Sequence, residues 1–276
     1  MSARVRSAPG VRPGAGSTFR WSVLVVLGVW ALAPLVLLVV VSASGGWRFP
    51  SLLGADPGLG AWRAVGAASG SLWAALGTST LVGVGTGVAA AALGLPLGRA
   101  LSNLRGAWRI VGAGCAFMPV AAPPLALGVG LQYSFLRMDL GGGVAGVILA
   151  HLIPALGYTS LFFLGVFAVF DREIESEARR LGADAWQVLT RVTLPLLRRP
   201  LAEAFVLGFL VSWAQVPLTL LVGQGQVRTL TVQVLSWVQA GQDPLAAAGA
   251  VLLVVPPLLL MGGASLAFQR AQVVAP

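Results

Sequence analysis

The sequence predicts an all-α integral membrane protein that crosses the bilayer about six times. Hydrophobic residues make up 57% of the 276 residues and charged residues only 10%, against about 25% charged residues in ordinary soluble domains. The apolar residues are also gathered into runs that approach or exceed the roughly 20 helical residues needed to span a bilayer core. Because so few charges cannot cover the outside of a soluble domain of this length, lipid is the expected solvent.

Residues 1–20 and 21–276 are predicted to behave differently. The first 20 residues carry four arginines among Gly, Pro and Ser and contain no acidic residue, a composition that predicts a flexible basic cytoplasmic tail. Residues 21–276 are predicted to form a single transmembrane domain. Its apolar runs predict spans at about residues 23–41, 72–97, 110–133, 144–170, 201–222 and 246–268.

Glycine and proline mark special positions in these spans. Small residues allow helices to pack closely in lipid, and Gly83, Gly85 and Gly87 predict such an approach in the second span. The third span is predicted to be broken by its prolines, since proline removes a helical hydrogen bond; they lie at positions 119, 123 and 124. In the first outer loop, a short interfacial helix is expected around residues 61–65, with Trp47 and Trp62 at headgroup depth.

The arginines predict the orientation. If the N-terminus is inside, 14 of the 18 arginines fall in cytoplasmic segments. Outside remain Arg48, Arg63, Arg137 and Arg228. Because cytoplasmic loops carry an excess of basic residues, both termini are predicted to be cytoplasmic.

The spans carry almost no reactive side chains. No Asp, Glu or Arg lies near the middle of any predicted span, and no phosphate-binding glycine loop is present. His151 has no carboxylate or cysteine nearby in the sequence and is predicted to be a packing or hydrogen-bonding residue of the fourth span. Cys115 is the sole cysteine, which excludes an intrachain disulfide. No catalytic residue, metal site or cofactor is therefore expected, and any uphill transport needs a partner that supplies the energy. The net charge of +9 is not interpreted as a sign of nucleic-acid binding.

The loop between the fourth and fifth spans, residues 171–200, is called the 171–200 loop below. Its apolar side chains recur every three or four residues, and Gly182 interrupts the pattern. This predicts two short amphipathic helices joined where the backbone turns. A helix pair lying flat on the inner leaflet and a docking surface for a partner explain the pattern equally well. The stripe consists of Ala178, Leu181, Ala185, Leu189 and Val192.

The spacing within this loop resembles the signature of the permeases of binding-protein-dependent ABC importers. That signature reads Glu-Ala-Ala, three residues, Gly, nine residues, a branched apolar residue, one residue and Leu-Pro. Gly182 is followed at the matching distance by Val192-Thr-Leu194-Pro195. The first part departs from the motif, because Ser176 stands at the Glu position and Glu177 at the first Ala position, while Ala178 keeps the second. Glu175 and Glu177 flank the Glu position, so that a displaced carboxylate is expected to be able to serve in its place.

The resemblance extends from about Trp62 to the end of the chain. Residues 209–223 and 228–231 are similar to the branch that imports polyamines, ferric iron, thiamine or aminoethylphosphonate. Members of that branch often have an acid one or two residues after the tryptophan, where this chain has Ala214 and Gln215. The resemblance implies a MetI-like ABC permease fold with six helices and a coupling helix in the 171–200 loop, in a bacterial plasma (inner) membrane.

The resemblance also implies partners and site residues. Separate ATP-binding-cassette ATPase subunits are expected to dock on the loop. For Trp186, one of the docking residues given below, the alternative role is that of an anchor at the membrane interface. A second permease chain, the same or similar, would complete the path, and an extracytoplasmic binding protein would deliver substrate. The predicted docking residues are Glu177, Ala178, Leu181, Gly182, Ala183 and Trp186.

Candidate residues of the substrate path are polar or aromatic positions near the fifth and third spans. Each serves equally well as an interhelical hydrogen-bonding residue. The rival functions are an ion-coupled secondary carrier, which the lack of buried ionisable groups disfavours, and a membrane-embedded enzyme or scaffold. The candidates are Ser212, Trp213, Gln215, Gln132 and Tyr133.

Overall fold

The computed structural model describes residues 16–45, 56–67 and 71–273, and in this part of the chain almost every element is a helix. The first span is α1, Gly16–Ser42. It is followed by a two-residue antiparallel pairing of β1, Ser44–Gly45, with β2, Asp56–Pro57, and by α2, Gly60–Ala67. Helix α2 confirms that the interfacial segment is helical, while Trp47 lies outside the described residues.

The first helix begins earlier than the sequence predicts. Residues 16–20, assigned to the flexible tail, are the first residues of α1, and residues 1–15 lie outside the described part. No proline occurs between Gly16 and Trp21, so that the helix continues beyond its apolar run. Helix α1 lies against α13, and its apolar stretch is almost entirely exposed, as expected of a helix that faces lipid.

The second to fourth spans form the centre of the chain. They comprise α3, Ser71–Asn103; the bent pair of α4, Ala107–Ala121, and α5, Pro124–Arg137; and α6, Val144–Val169. The axes of α4 and α5 differ by 93°, which confirms the predicted break in the third span. The break falls at Ala122-Pro123, whereas Pro119 lies inside α4.

The 171–200 loop is almost wholly helical. It contains α7, Glu173–Arg180, then α8, Ala185–Val188, a π-helical turn at Leu189–Thr193, and α9, Leu194–Leu196. Gly182, between α7 and α8, has a φ of +91°, a conformation that glycine adopts without the steric cost of a Cβ. The predicted pair of helices joined at Gly182 is therefore confirmed.

The fifth span differs from its prediction. It consists of α10, Arg198–Trp213, and α11, Pro217–Gly223, whose axes differ by 69°. Pro217 has no backbone N–H to continue the hydrogen bonds of α10, and it occupies the first position of α11, where no such donor is needed. The chain continues through α12, Leu230–Gln239, to the last span, α13, Asp243–Val273.

Membrane-spanning helices can be counted from length and apolarity. Within the described residues, α1, α3, α6 and α13 are each long and apolar enough to cross a bilayer. The two bent pairs, α4 with α5 and α10 with α11, bring the number to six if each pair is one span. The all-helical membrane fold is thus confirmed, with four candidate spans in the described residues, or six when each bent pair counts as one span.

Glycines bring α3 close to its neighbours. A Cβ on Gly83 would lie 2.7 Å from the Phe209 ring, and one on Gly87 would lie 2.8 Å from the Phe205 carbonyl oxygen, both on α10. A Cβ on Gly85 would touch Ile148 of α6 at 3.0 Å. The predicted close approach at these three glycines is confirmed, and it binds α3, α6 and α10 into one packed unit.

Candidate functional site

The 171–200 loop is held in one shape by local hydrogen bonds. At the start of α8, the Asp184 carboxylate accepts a hydrogen bond from the Gln187 amide at 2.8 Å, and the Gln187 side-chain oxygen accepts one from the Asp184 amide at 3.1 Å. This reciprocal capping satisfies amide groups that the first turn of a helix leaves without partners. Helix α7 has Glu173 and Glu175 in its first turn and arginines in its last, which complements the helix dipole.

The turn between α7 and α8 exposes large apolar side chains. Leu181 is 90% exposed and Trp186 is 71% exposed. Between them, Gly182 is exposed and a Cβ built on it would have no neighbour within 4 Å. Covering such side chains with lipid or with another protein removes apolar surface from water, which is favourable. The remaining predicted docking residues are nearby in the sequence, with Glu177 exposed and Ala178 and Ala183 half-buried.

A buried carboxylate attaches α7 to α3, and sequence analysis did not assign it this role. Glu175 is only 4% exposed. Its oxygens accept hydrogen bonds from Arg99 Nη1 at 2.9 Å and Nη2 at 2.5 Å, and from Thr193 Oγ1 at 2.6 Å. The acid beside the motif position therefore lies inside the chain, and Glu177 is the one of the two flanking carboxylates that remains exposed.

The charge of Glu175 is stabilised by these partners. Burial alone would raise the pKa of its carboxyl group, but the hydrogen bonds from Arg99 and Thr193, with the positive charges of Arg99 and Arg179, lower the pKa below the ordinary value of 4.5. Hydrogen bonds to a carboxylate favour its ionised form. Glu175 is thus an ion at neutral pH, and it forms a bidentate pair with a guanidinium group.

A second contact joins the same two parts of the chain. Arg172, just before α7, donates hydrogen bonds to the Asn103 side-chain oxygen and, at 2.6 Å, to Ser102 Oγ, both at the end of α3. The Arg99 guanidinium also lies 5.6 Å from the centre of the Phe167 ring of α6, within the range of a cation–π contact. The 171–200 loop is therefore anchored to the end of α3, and α3 in turn contacts α6 through Arg99.

A second polar group lies inside the membrane part, at the break of the fifth span. His151 of α6 is 1% exposed. Its Nδ1 lies 2.8 Å from Ser212 Oγ in α10 and its Nε2 lies 3.0 Å from Thr219 Oγ1 in α11. The predicted hydrogen-bonding role of this histidine is confirmed. Among the described residues, no group of three or more His, Cys, Asp or Glu side chains has the arrangement of a metal site.

Two candidates for the substrate path have their polar groups bonded within the chain. Ser212 is buried against His151, and the buried Trp213 donates its indole N–H to the Leu253 carbonyl of α13 at 3.0 Å. The Trp213 ring stacks on Phe209 with centroids 5.1 Å apart. Both residues therefore make interhelical hydrogen bonds, the role that the sequence left open beside substrate contact.

The other three candidates are more accessible. Gln132 and Gln215 are half-buried, and Tyr133 is exposed. The guanidinium of Arg137, one turn further along α5, lies 4.7 Å from the centre of the Tyr133 ring. Tyr133 is therefore paired with a cation at the end of the bent third span.

Comparison with known proteins decides the family. Residues 83–272 match the family described as "Binding-protein-dependent transport system inner membrane component". The chain belongs to this family. It is the transmembrane permease subunit of an ABC importer, which forms the substrate path and couples ATP hydrolysis by a separate subunit to alternating access. Such a permease is a multi-pass protein of the inner membrane and works with ATPase subunits, another permease chain and a substrate-binding protein.

Individual relatives agree with this assignment. The permease is 31% identical over 208 residues to the molybdenum transport system permease protein ModB of Mycobacterium tuberculosis, covering 67% of this chain and 77% of the relative. It is 29% identical over 147 residues to a putative 2-aminoethylphosphonate transport system permease protein, PhnV, of Salmonella typhimurium, covering 52% and 56% of the two chains. The aminoethylphosphonate relative belongs to the branch that the sequence resembles, whereas the molybdenum relative lies outside the four substrates of that branch.

A solved structure has the same fold. A chain of a bacterial ABC transporter involved in the import of the acidic polysaccharide alginate superposes with a TM-score of 0.66 at 18% identity, covering 94% of this permease and 99% of that chain. A chain of a bacterial alginate ABC transporter in complex with an alginate pentasaccharide-bound periplasmic protein also superposes, with a TM-score of 0.66 at 14% identity. At these identities the likeness concerns the fold alone.

Proposed function

We propose that the ATPase subunit binds this permease at the exposed turn of the 171–200 loop, on Leu181 and Trp186, and that this end of the molecule faces the cytoplasm. The observation that carries the proposal is the exposure of these two large apolar side chains on either side of Gly182. Partly exposed Ala178 and Ala183 surround them, and small residues let a partner approach the backbone closely. An aromatic anchor such as Trp186 contributes much of the energy in protein interfaces.

The charges around the turn favour a protein partner over the membrane surface. Glu177 and Asp184 are exposed on either side of Leu181 and Gly182, together with Arg179 and Arg180. An interfacial membrane helix combines its apolar face with predominantly basic residues, because the inner leaflet is anionic. Carboxylates beside the exposed leucine oppose such contact, whereas mixed charges around an apolar centre are typical of a protein–protein interface.

Motion of the ATPase reaches the membrane helices through two connections, of which one is an ion pair and the other is the polypeptide chain itself. Helix α7 is tied to α3 by Glu175 and Arg99, and α9 leads into α10. The glycine contacts of α3 with α6 and α10 make these helices move together. When two ATPases close around ATP, the loops of two permease chains approach each other, and the spans change from inward-open to outward-open. The ATPase subunit hydrolyses ATP. The inward-open and outward-open states are each stabilised by the partner that binds that state most tightly.

The orientation is part of the proposal. In the six-span topology, the chain segments on the same side of the membrane as the loop contain most of the arginines, including Arg99, Arg109 and Arg198. The positive-inside rule places this end, with both termini, in the cytoplasm. In a Cys115→Ala background, a cysteine at Leu181 is expected to resist a membrane-impermeant maleimide in spheroplasts, whereas a cysteine at the exposed Met138 reacts. The reverse pattern would contradict the orientation.

For the substrate path, we propose the three accessible candidates, Gln132, Tyr133 and Gln215. Replacing Gln215 by Leu is expected to lower the transport rate while ATPase binding stays unchanged. Because Ser212 and Trp213 are bonded within the chain, their replacement should reduce the amount of folded protein as well. If replacements of the three accessible residues reduced the amount of folded protein as much as replacements of Ser212 and Trp213 do, a specific role in the substrate path would be excluded.

Co-purification tests the docking site. The tagged permease is co-expressed with the ATPase encoded beside it and purified in mild detergent. Wild-type protein and the matched control Met138→Ala, an exposed apolar residue remote from the loop, are expected to retain a stoichiometric ATPase. Leu181→Glu and Trp186→Ala should lose it while their own yield stays unchanged. Retention by both loop variants would refute the site, and ATP-independent, ion-driven uptake by the lone chain would favour the secondary carrier.

A further inference from the structure

The buried His151 bridges the two halves of the broken fifth span. Ser212 is the next-to-last residue of α10, and Thr219 is the third residue of α11. Both ring nitrogens of His151 are used, one toward each half, at 2.8 Å and 3.0 Å. The side chain of α6 therefore makes its hydrogen bonds on both sides of the three-residue link between α10 and α11.

The surrounding hydrogen bonds assign the tautomer of His151. Thr219 has one hydroxyl hydrogen, and it donates this hydrogen to the Gln215 carbonyl oxygen at 2.9 Å. Thr219 Oγ1 must then accept from His151, so that Nε2 carries the proton. Nδ1 is left as the acceptor for the Ser212 hydroxyl. The result is a directed chain from Ser212 through His151 and Thr219 to the carbonyl of Gln215, inside the link.

Helix α11 is joined to the outer half of the other broken span. A Cβ on Gly128 of α5 would lie 2.6 Å from Leu221 Cδ1 of α11. Leu218 and Val222 of α11 form a buried cluster with Val147 of α6. The two short half-spans α5 and α11 thus pack against each other, and each is separated from its inner half by a bend, of 93° and 69° respectively.

We propose that His151 is a positioning residue that sets the angle between α10 and α11 and so transmits motion of α10 to the α5–α11 pair. This inference rests on the proposed function, because α10 continues directly from the 171–200 loop and is moved by the ATPase. Along the chain, α10 reaches α11 only through the link 214–216, where the helix is interrupted. The bonds of His151 supply the rigid connection that the interrupted backbone lacks.

The bend can be measured in the lone permease. In a Cys115→Ala background, spin labels at Arg198→Cys on α10 and Leu220→Cys on α11 report their separation by pulsed electron paramagnetic resonance. In the labelled protein with His151 intact, a single narrow distribution of label-to-label distances is expected. His151→Leu, which replaces the hydrogen-bonding ring by an apolar side chain of similar size, should broaden or shift it. The matched control is Thr159→Val, which removes a buried hydrogen bond between α6 and α3 at 2.9 Å but leaves the break untouched.

Transport measured per ATP hydrolysed gives the functional result. In the full complex, His151→Leu is expected to lower this ratio by about ten-fold, within the usual range of coupling between sites, while Thr159→Val leaves it unchanged. Ser212→Ala removes one of the two bonds and should have a smaller effect, and it should have none when added to His151→Leu. If His151→Leu does not fold, Ser212→Ala and its distance distribution decide the question.

The outcomes separate this inference from the proposed function. A narrow distribution and an unchanged ratio in His151→Leu, or equal losses in His151→Leu and Thr159→Val, would overturn the positioning role. Failure of the wild-type permease to bind an ATPase would instead contradict the docking proposal. The spin-label measurement on the lone chain would still support or overturn the role of His151 at the bend.

Discussion

Replacing Glu175 by Gln tests how the 171–200 loop is attached to the membrane helices. Gln keeps the size of the side chain but has one acceptor oxygen, whereas the carboxylate accepts two hydrogen bonds from Arg99 and one from Thr193. Hydrogen bonds to charged groups contribute about 1.5–3 kcal/mol each. The Arg99 side chain is 31% exposed, so that water replaces part of the loss. We expect a total destabilisation of about 2–3 kcal/mol.

The assay is thermal unfolding of the purified permease in detergent, with ATPase binding measured in parallel. Glu173→Gln is the matched control, because it removes the same charge from the same helical turn at an exposed position. Glu175→Gln should lower the melting temperature and weaken ATPase binding, whereas Glu173→Gln should lower the melting temperature much less, by the small helix-dipole contribution alone, and leave ATPase binding unchanged. Equal melting temperatures for the two variants would refute the argument that the buried ion pair anchors the loop.

The same pair predicts a pH dependence. Since the folded-state pKa of Glu175 is lowered below 4.5, the ion pair contributes its full stability above about pH 4.5. This contribution is lost as the pH falls through the folded-state pKa and the carboxylate is protonated. The difference in melting temperature between wild type and Glu175→Gln should therefore be constant above pH 5 and shrink below it. A difference that grows on acidification would contradict the assignment.

Three further substitutions probe the loop and the helix contacts. Gly182→Ala should cost about 1–2 kcal/mol, because a Cβ is strained at a φ of +91°, and should weaken ATPase binding without lowering the yield. Asp184→Ala removes the cap of α8 and should cost about 1 kcal/mol, measured by faster proteolysis within the loop. Gly98→Ala places a Cβ against Phe163 and should lower the melting temperature by the equivalent of about 1–3 kcal/mol, whereas Gly77→Ala, with no neighbour within 4 Å, should not.

Local sequence patterns predicted much of the fold. Long apolar runs marked all six spans, and the Pro-Pro pair at 123–124 marked the first break. The second break was missed because only Gln215 interrupts the apolar run between Trp213 and Pro217, and a single proline at 217 begins a helix as readily as it interrupts one. Helix α12 was missed because it is ten residues long and contains polar residues.

The site was predictable where it depends on spacing and hidden where it depends on contacts distant in the sequence. Gly182 and the exposed Leu181 and Trp186 follow from the motif and its helical pattern. The burial of Glu175 depends on Arg99, 76 residues away. The bonds of His151 reach 61 and 68 residues along the chain. No local periodicity reports such pairs: the motif spacing singled out Glu175 as an acid beside the Glu position that Ser176 occupies, but it could not show that this acid is buried against Arg99.

Site-specific cross-linking tests the central claim most directly, that the turn at Gly182 binds the ATPase. In a Cys115→Ala background, a photoreactive cross-linker is attached to a cysteine at Leu181, at Trp186 or, as a control, at Met138, and membranes containing the full importer are irradiated. The account predicts an adduct of permease and ATPase from positions 181 and 186 and none from 138. Adducts with lipid alone at 181 and 186, in membranes where the ATPase is present and active, would contradict it.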